Sequence, residues 1–273
     1  MKLLLSTILL SFGAILFAQT ATNTTDANGL KQGYWVKLNP ETGRPAYKGT
    51  FKDGKPDGLF KYYYPEVDTM HSIMDFRNGG KVGYSSMFYM TGVIQAKGKY
   101  VDEKKDSTWN FYDEGGKILS VENYSAGKRN GKSTIYFLNG LVSEEKSYKM
   151  DQLDGLYKEY YESKKVRRER NYVNGKQVGK EVVYFPNGVV ELIGVYNKAG
   201  KMHGVWITSD KTGKQLIKAV YDNGKRLSGK KAEEWLEKNK GKSTQEPKEK
   251  PKTTTKPTTN KDTKPTGKSG TKK

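Results

Sequence analysis

The sequence predicts an all-β protein: an elongated antiparallel meander of about eight to nine β-hairpin repeats, a short C-terminal helix and a disordered basic tail. The first observation behind this prediction is a tyrosine that recurs every 24 residues. It ends five successive units, at Tyr100, Tyr124, Tyr148, Tyr172 and Tyr196. Phe76 holds the same place one unit earlier, and Phe51 and Tyr221 hold it at intervals of 25. A constant period over about 170 residues is typical of a repeat architecture.

Glycines supply the second observation. Each unit has one residue at a central position, which is serine in one unit and glycine in the others: Gly33, Gly58, Gly83, Ser107, Gly131, Gly155, Gly179 and Gly204. A second glycine often lies four residues earlier and follows Asn or Asp, as in Asn174-Gly175, a pair that favours tight reversals. A third often lies nine residues after the central position, as in Pro186-Asn187-Gly188. Each unit is therefore predicted to be turn, strand, turn, strand.

The runs between these turns are about 5–7 residues long, which suits strands and is too short for ordinary helices. The first strand of a unit carries rings, and the second ends in the periodic tyrosine. Rings are favoured two and five residues after the central position, an offset that breaks strict alternation. Either a β-bulge lies between the two positions or both faces of the sheet carry aromatic side chains.

Composition limits the core and the chemistry. Only 34% of the 273 residues are hydrophobic and 19 are tyrosine, so we expect a thin layer of rings rather than a thick aliphatic core. The chain has no cysteine, which excludes disulfides and cysteine-based metal sites. The net charge of +19 predicts attraction to anionic surfaces or nucleic acid.

The N-terminus predicts export. Lys2 precedes an apolar run from Leu3 to Phe17, which is shorter than the roughly 20 residues of a membrane span. We predict a signal peptide over residues 1–18, cleaved after Ala18; the alternative is a retained membrane anchor. A flexible leader, 19–27, then precedes the repeat array, 28–227. An exported destination makes nucleic acid an unexpected partner.

The C-terminus changes character twice. In residues 228–240, Ala232, Trp235 and Leu236 share one side of a predicted helix that caps the array by covering its last strand edge. The alternative is a helix that binds a partner. From 241 to 273, ten lysines stand against three acids and no large apolar residue occurs, which predicts disorder. This tail either holds the protein to an anionic envelope surface or only keeps it soluble.

The repeats resemble a known family. The pattern NG-K-x-x-G-x-W/Y-x-x-Y-Y-x-x-x-G, seen in Asn174–Gly188 and more loosely in Ser125–Gly140, resembles the MORN-repeat variant of bacterial proteins in the YwqK antitoxin family. The resemblance spans residues 28 to about 225 and implies a scaffolding, dimerisation or lipid-contact module. Ser107, Asp151 and Lys164 replace glycines of the pattern, which puts the local turn geometry in question.

No residue pattern predicts catalysis. His71 and His203 lie in different units, and a catalytic or metal site needs several converging groups. The glycines mark hairpin turns and do not form a phosphate-binding loop. We therefore expect a protein that is not an enzyme and that uses no metal or cofactor.

The candidate binding residues are rings and a basic run. The rings Tyr62, Tyr112, Tyr136, Tyr160 and Tyr184 form either a stacking surface or the core of the sheet. The basic run includes Lys164, Arg167 and Arg168 and is either a binding patch or a solvated hairpin tip and edge.

The sequence thus predicts an exported, non-catalytic scaffold for protein–protein interaction at the bacterial cell envelope, in the periplasm, at the outer membrane or secreted. The alternative function is a charge-driven binder of an anionic envelope surface, lipid or polymer, through the tail and the sheet. The family name implies a third, toxin-neutralising function. The sequence does not indicate the partner's identity, the sheet face used or the oligomeric state.

Overall fold

The computed structural model describes residues 22–240. The predicted signal peptide and basic tail lie outside the described residues. Nineteen strands and one helix, numbered in chain order, have these bounds: β1 Thr24–Thr25, β2 Lys31–Leu38, β3 Pro45–Lys52, β4 Lys55–Tyr63, β5 Met70–Arg77, β6 Val82–Phe88, β7 Ile94–Val101, β8 Lys104–Tyr112, β9 Ile118–Ser125, β10 Lys128–Tyr136, β11 Val142–Lys149, β12 Gln152–Leu153, β13 Gly155–Tyr160, β14 Val166–Val173, β15 Lys176–Tyr184, β16 Val190–Tyr196, β17 Met202–Ser209, β18 Gln215–Asp222, β19 Lys225–Leu227 and α1 Lys230–Lys238.

The strands form one antiparallel meander. Each strand pairs with the next along the chain, from β1 with β2 to β18 with β19. Among the described strands the order varies at β12, a two-residue strand, where β11 pairs with both β12 and β13. The predicted all-β hairpin meander with a short C-terminal helix is therefore confirmed.

A β-bulge recurs in every complete unit of the described chain. The register between the first and second strand shifts between the fourth and fifth residues after the central position. In the fifth unit, for example, Ile135 pairs with Glu144 but Tyr136 pairs with Val142, so the second strand has one extra residue. Of the two alternatives that the ring spacing allowed, the bulge is therefore present.

Aromatic side chains also lie on both faces. Phe60 and Tyr62, two and four residues after the central position, stack at 6.1 Å on one face, as Trp109 and Phe111 do at 6.2 Å. The fifth residue, such as Tyr112, points the other way because strand side chains alternate. The β-bulge and the aromatic side chains on both faces are therefore both present.

On the face that carries Phe60 and Trp109, aromatic rings pack on glycines of the neighbouring strand. An added Cβ at Gly98 would lie 2.2 Å from the indole of Trp109, and one at Gly194 would lie 2.0 Å from the indole of Trp206. Gly49 is covered by Phe60 in the same way. Each of these glycines lies two residues before the periodic ring, on the strand that precedes the covering ring. The large rings of a thin sheet are therefore buried by lying flat on a neighbouring strand that has no side chain there.

The turns keep their geometry where glycine is replaced. Ser107, Asp151 and Lys164 have φ values of 59°, 70° and 64°, so each occupies the left-handed region that the glycine would occupy. Asp151 also accepts a bond from the backbone N–H of Arg129 at 2.9 Å, which helps to hold the turn. The substitutions therefore change the residue and keep the turn.

Tyrosine hydroxyls join neighbouring units along one end of the hairpins. The residue six after the central position donates to the carbonyl of the next unit's fifth residue: Tyr64 to Phe88 at 3.0 Å, Tyr89 to Tyr112 at 2.8 Å and Tyr161 to Tyr184 at 2.7 Å. These bonds add a side-chain ladder to the backbone ladder and limit sliding between units.

The N-terminal edge is closed by residues that the sequence placed in a flexible leader. Thr24 and Thr25 pair with β2, and the side-chain amide of Asn23 both accepts from the N–H of Val36 and donates to its carbonyl. The N–H of Asn23 itself bonds the carbonyl of Tyr34. The described part of the leader therefore covers the first strand rather than hanging free.

The C-terminal helix packs on the sheet through one ring. Trp235 lies edge-on to His203 of β17, with ring centroids 5.6 Å apart, and close to Gly204. Ala232 and Leu236 are half-buried beside it. The sequence predicted a helix that covers the last strand edge; the ring of Trp235 instead contacts β17, two strands inward from β19.

Candidate binding surface

The two faces of the sheet differ in character. The ring face is the face of Phe60, Trp109 and Trp206 and of the periodic rings beside them, such as Tyr100 and Tyr196. Trp109 has no exposed surface there and Phe60 is almost completely buried. The open face is the opposite one, on which the residues one, three and five after each central position lie.

The structure divides the five predicted tyrosines between these faces. Tyr62 lies on the ring face, 6.1 Å from Tyr47 on the neighbouring strand. Tyr112, Tyr136, Tyr160 and Tyr184 are the fifth residues of their units and lie on the open face. The residue of the second unit that matches them is Tyr63, not Tyr62. The five therefore do not form a single surface.

The open-face tyrosines are half-buried and engaged by charged neighbours. The ammonium of Lys97 lies 5.6 Å from the ring centre of Tyr112, and Tyr160 donates to a carboxylate oxygen of Glu145 at 2.8 Å. Glu145 is in turn paired with Lys132 at 2.5 Å. These contacts fit the alternative in which the tyrosines join adjacent hairpins.

The contact between Tyr160 and Glu145 predicts that Tyr160 ionises at an unusually alkaline pH. Burial, the hydrogen bond to Glu145 and the charge of that carboxylate raise the pKa of Tyr160 to about 12, from 10.0. A raised pKa in the folded state gives stability that is present below pH 10 and is lost as the pH rises through about 12. We expect NMR of the Tyr160 ring to give an ionisation near pH 12 that moves down in Glu145→Gln. An unchanged midpoint in that variant would contradict the role of the carboxylate.

The basic run is only partly available for binding. Lys164 is exposed at the tip of the hairpin between β13 and β14. Arg167 is half-exposed and lies 3.7 Å from Glu159, whereas Arg168 contacts both Glu159 at 3.8 Å and Glu181 at 3.6 Å. Lys164 therefore fits the alternative of a solvated hairpin tip. The strand after it is not a sheet edge, because β14 pairs with β13 and β15.

The residues that sequence reasoning missed lie one position after the central residue. Four large apolar side chains there have exposed fractions between 42% and 54% and lie on the open face: Tyr34, Leu59, Tyr84 and Leu156. We call these four the apolar row. The first three come from successive units, so they are separated by two strand spacings, roughly 10 Å. Their fixed offset from the central position was a usable signal.

The histidines do not form a site. His71 contacts Ser72 and Tyr64, and burial lowers its pKa. His203 lies 3.3 Å from Asp222 near α1. Within residues 22–240, no three His, Asp or Glu side chains are grouped closely enough to hold a metal ion. In the same part of the chain, no helix has the length and hydrophobicity to cross a membrane.

Comparison with protein families identifies the repeat type. Residues 153–174 and 177–198 match the MORN repeat variant family. These two segments are similar to MORN-variant repeats. The first matched segment covers the hairpin of β13 and β14 and the second covers that of β15 and β16, in agreement with the period of the strands. MORN repeats are in general protein- or membrane-binding modules.

Other comparisons add little. No curated protein matches the chain. The crystal structure of TcdB2-TccC3-Cdc42 aligns with 14% identity and a TM-score of 0.21, over 76% of this chain and 14% of that one. The crystal structure of TcdB2-TccC3 aligns with 10% identity and a TM-score of 0.20, over 72% and 12%. This chain thus spans a small fraction of those proteins, and TM-scores near 0.2 do not establish a shared fold.

Proposed function

We propose that this protein is an exported, non-catalytic MORN-variant scaffold that binds a protein partner through the open face of its sheet at the bacterial cell envelope. The observation that carries the proposal is the apolar row, because apolar side chains that line up on one exposed face are typical of protein interaction sites. The ring face is less suited to binding, since its largest rings are already buried against the chain's own glycines.

Export and location rest on the N-terminal sequence. The run from Leu3 to Phe17 and the small Ala18 support a cleaved signal peptide and a mature protein that begins at Gln19. Neutralisation of a cytoplasmic toxin, which the resemblance to the YwqK family implies, fits less well with an exported protein. Charge-driven binding to an anionic envelope surface is the second candidate, favoured by the net charge of +19.

The test is crosslinked capture from the native envelope with the full chain as bait. The test variant carries Leu59→Ser, Tyr84→Ser and Leu156→Ser. The matched control carries Met90→Ser, Leu138→Ser and Met150→Ser, which remove exposed apolar side chains of similar size from turns. We expect a protein that the wild type and the control recover and that the test variant recovers several-fold less. Mass spectrometry of the bait should show Gln19 as its first residue.

The outcome with added salt separates the two candidates. Near 1 M ionic strength the Debye length falls to about 3 Å, so binding driven by surface charge collapses whereas apolar contacts persist. Equal recovery by the test and control variants, together with loss of binding at high salt, would replace the protein-binding proposal by the charge-driven one.

A further inference from the structure

Within residues 22–240, the last full-length strand, β18, is paired along only part of its outer edge. β18 pairs with β17 from Gln215 to Tyr221. On its other side, β19 pairs only with residues 220–222. Within residues 22–240, no strand follows along the part of β18 from Gln215 to Ala219.

Earlier units are paired at the corresponding place. In the seventh unit, Leu192 and Ile193 pair with Thr208 and Ile207 of the next unit. In the sixth, Arg168 and Glu169 pair with Val183 and Val182. The equivalent residues of β18 are Ile217 and Lys218. A ninth unit would supply their partner strand, but the chain forms α1 at that point instead.

The helix contributes no strand pairing to this stretch, in which the side chains from Gln215 to Lys218 are exposed and Ala219 is buried. Trp235 of the helix contacts His203, which lies at the end of β17 away from Thr208 and Ile217. Leu216 and Ile217 remain 62% and 53% exposed, although internal strands of the array keep comparable aliphatic side chains half-buried. The unpaired edge is therefore flanked by exposed apolar side chains.

The N-terminal edge of the array, in contrast, is covered by residues of the chain itself. Asn23 satisfies both backbone groups of Val36, and β1 pairs with the beginning of β2. Open sheet edges invite pairing with other chains, and proteins usually blunt them. Within the described part of the chain, the N-terminal edge is covered, whereas the outer edge of β18 is protected only by the charge of Lys218.

We propose that a partner protein adds an extended segment to the free edge of β18 between Gln215 and Lys218, in the place of the first strand of a ninth unit. This inference rests on the proposed protein-binding function and specifies its mode, β-strand addition. The segment carries an acidic residue beside Lys218 and an apolar residue beside Ile217. Opposite charges across neighbouring strands are favourable, as in the pair of Lys158 and Glu169 at 2.8 Å.

Self-association fits this edge less well. Joining the array head to tail would require the N-terminal edge that Asn23 and β1 occupy. Joining two copies of β18 would bring their lysines, Lys214 and Lys218, near the same lysines of the partner, and like charges across strands are destabilising. A foreign acidic segment avoids both penalties.

The test uses a labelled peptide with the sequence of residues 176–184, the first strand of the seventh unit. Val182 of that strand pairs with Glu169, the equivalent of Lys218, so the peptide is made with Val182→Glu and, as a control, with Val182→Lys. We expect saturable binding of the Glu peptide to the full chain, measured by fluorescence anisotropy, and several-fold weaker binding of the Lys peptide.

Two variants of the full chain separate strand addition from a charge effect. Asp222 and Lys225 flank the two-residue turn into β19, so the N–H groups of Asp222, Val220 and Lys218 point to the side on which β19 lies. Lys218 lies beyond the residues that pair with β19, so its N–H points to the free edge. Lys218→Pro removes that donor and is tolerated at an edge, whereas Lys218→Ala removes only the charge. We expect Lys218→Pro to weaken binding more than tenfold and Lys218→Ala only a few-fold, with circular dichroism confirming that both variants are folded.

Three outcomes overturn the proposal. The first is absence of peptide binding to the wild type, and the second is equal binding by folded Lys218→Pro. The third is a dimer of the wild type that Lys218→Pro abolishes, which assigns the edge to a second copy. None of these depends on the native partner. Envelope capture that is sensitive to the apolar row but not to Lys218→Pro would therefore leave protein binding in place and remove strand addition alone.

Discussion

Replacement of Trp109 by alanine should lower the free energy of unfolding by about 3–5 kcal/mol, the range for loss of a fully buried large ring. Trp109 has no exposed surface. Its ring meets Tyr100 edge-on at 4.9 Å, and its indole N–H donates to the carbonyl of Lys99 at 3.1 Å. The ammonium of Lys105 lies 4.6 Å from the ring centre. Urea unfolding followed by circular dichroism gives the measurement.

Trp35 provides the control for that substitution. It occupies the same position in the first unit but is only half-buried, because within residues 22–240 only the short strand β1 precedes β2. Trp35→Ala should therefore cost distinctly less than Trp109→Ala. Equal losses at the two positions would show that burial by the preceding unit does not decide the stability of these rings.

A double-mutant cycle tests the packing on Gly98 directly. Gly98→Ala alone should cost about 1–3 kcal/mol, because its Cβ would lie within 2.2 Å of the indole and overpacking displaces the ring. The same change after Trp109→Ala should cost little, so the two effects should not add. Gly115→Ala is the control, since a Cβ there meets only the side chain of Asp113 at 3.3 Å. Additive losses would contradict the ring-on-glycine account.

The second large effect concerns Glu159. We expect Glu159→Gln to cost roughly 3 kcal/mol, since removing one partner from a buried ion network leaves the other charges uncompensated. Arg167 and Arg168 lie 3.7 and 3.8 Å from its carboxylate, and Arg170 donates to the same group. The side chains of Glu159 and Arg170 are only 14% and 16% exposed, so water cannot replace the lost charge effectively.

Glu169→Gln is the matched control. Glu169 pairs with Lys158 at 2.8 Å on the open face, where both side chains are about twice as exposed. Exposed pairs contribute below about 1 kcal/mol. Hydrogen exchange of β13, β14 and β15 should locate the loss in Glu159→Gln, because a repeat array can open locally. Equal small losses in both variants would mean that the network is solvated and does not stabilise the sixth unit.

Much of the fold could be predicted because turn chemistry is local. The Asn-Gly and Asp-Gly pairs favour hairpin turns whatever residues the neighbouring units contain. The period of 24 residues and the strand order can therefore be predicted from the sequence. The left-handed conformations of Ser107 and Lys164 could not be predicted in this way. There the neighbouring units hold the turn in a conformation that the residue itself disfavours.

The candidate surface was less predictable. Tyr62 and Tyr112 look equivalent as rings in first strands, but they differ by one position relative to the central residue and therefore lie on opposite faces. The basic run looked like a surface patch, yet Arg168 contacts carboxylates of two adjacent strands. Ring type and charge are visible in the sequence, whereas the neighbour that covers or pairs each group comes from another unit.

The sequence by itself determined the repeat, its turns and the two-strand unit, because these depend on residues within one period. Only the tertiary structure decided which rings are buried, which apolar side chains line the open face and which edge stays unpaired. These properties depend on which residues of the adjacent strand face each side chain. Gly98 lies beneath Trp109, and within residues 22–240 no strand pairs with the outer edge of β18 at Ile217.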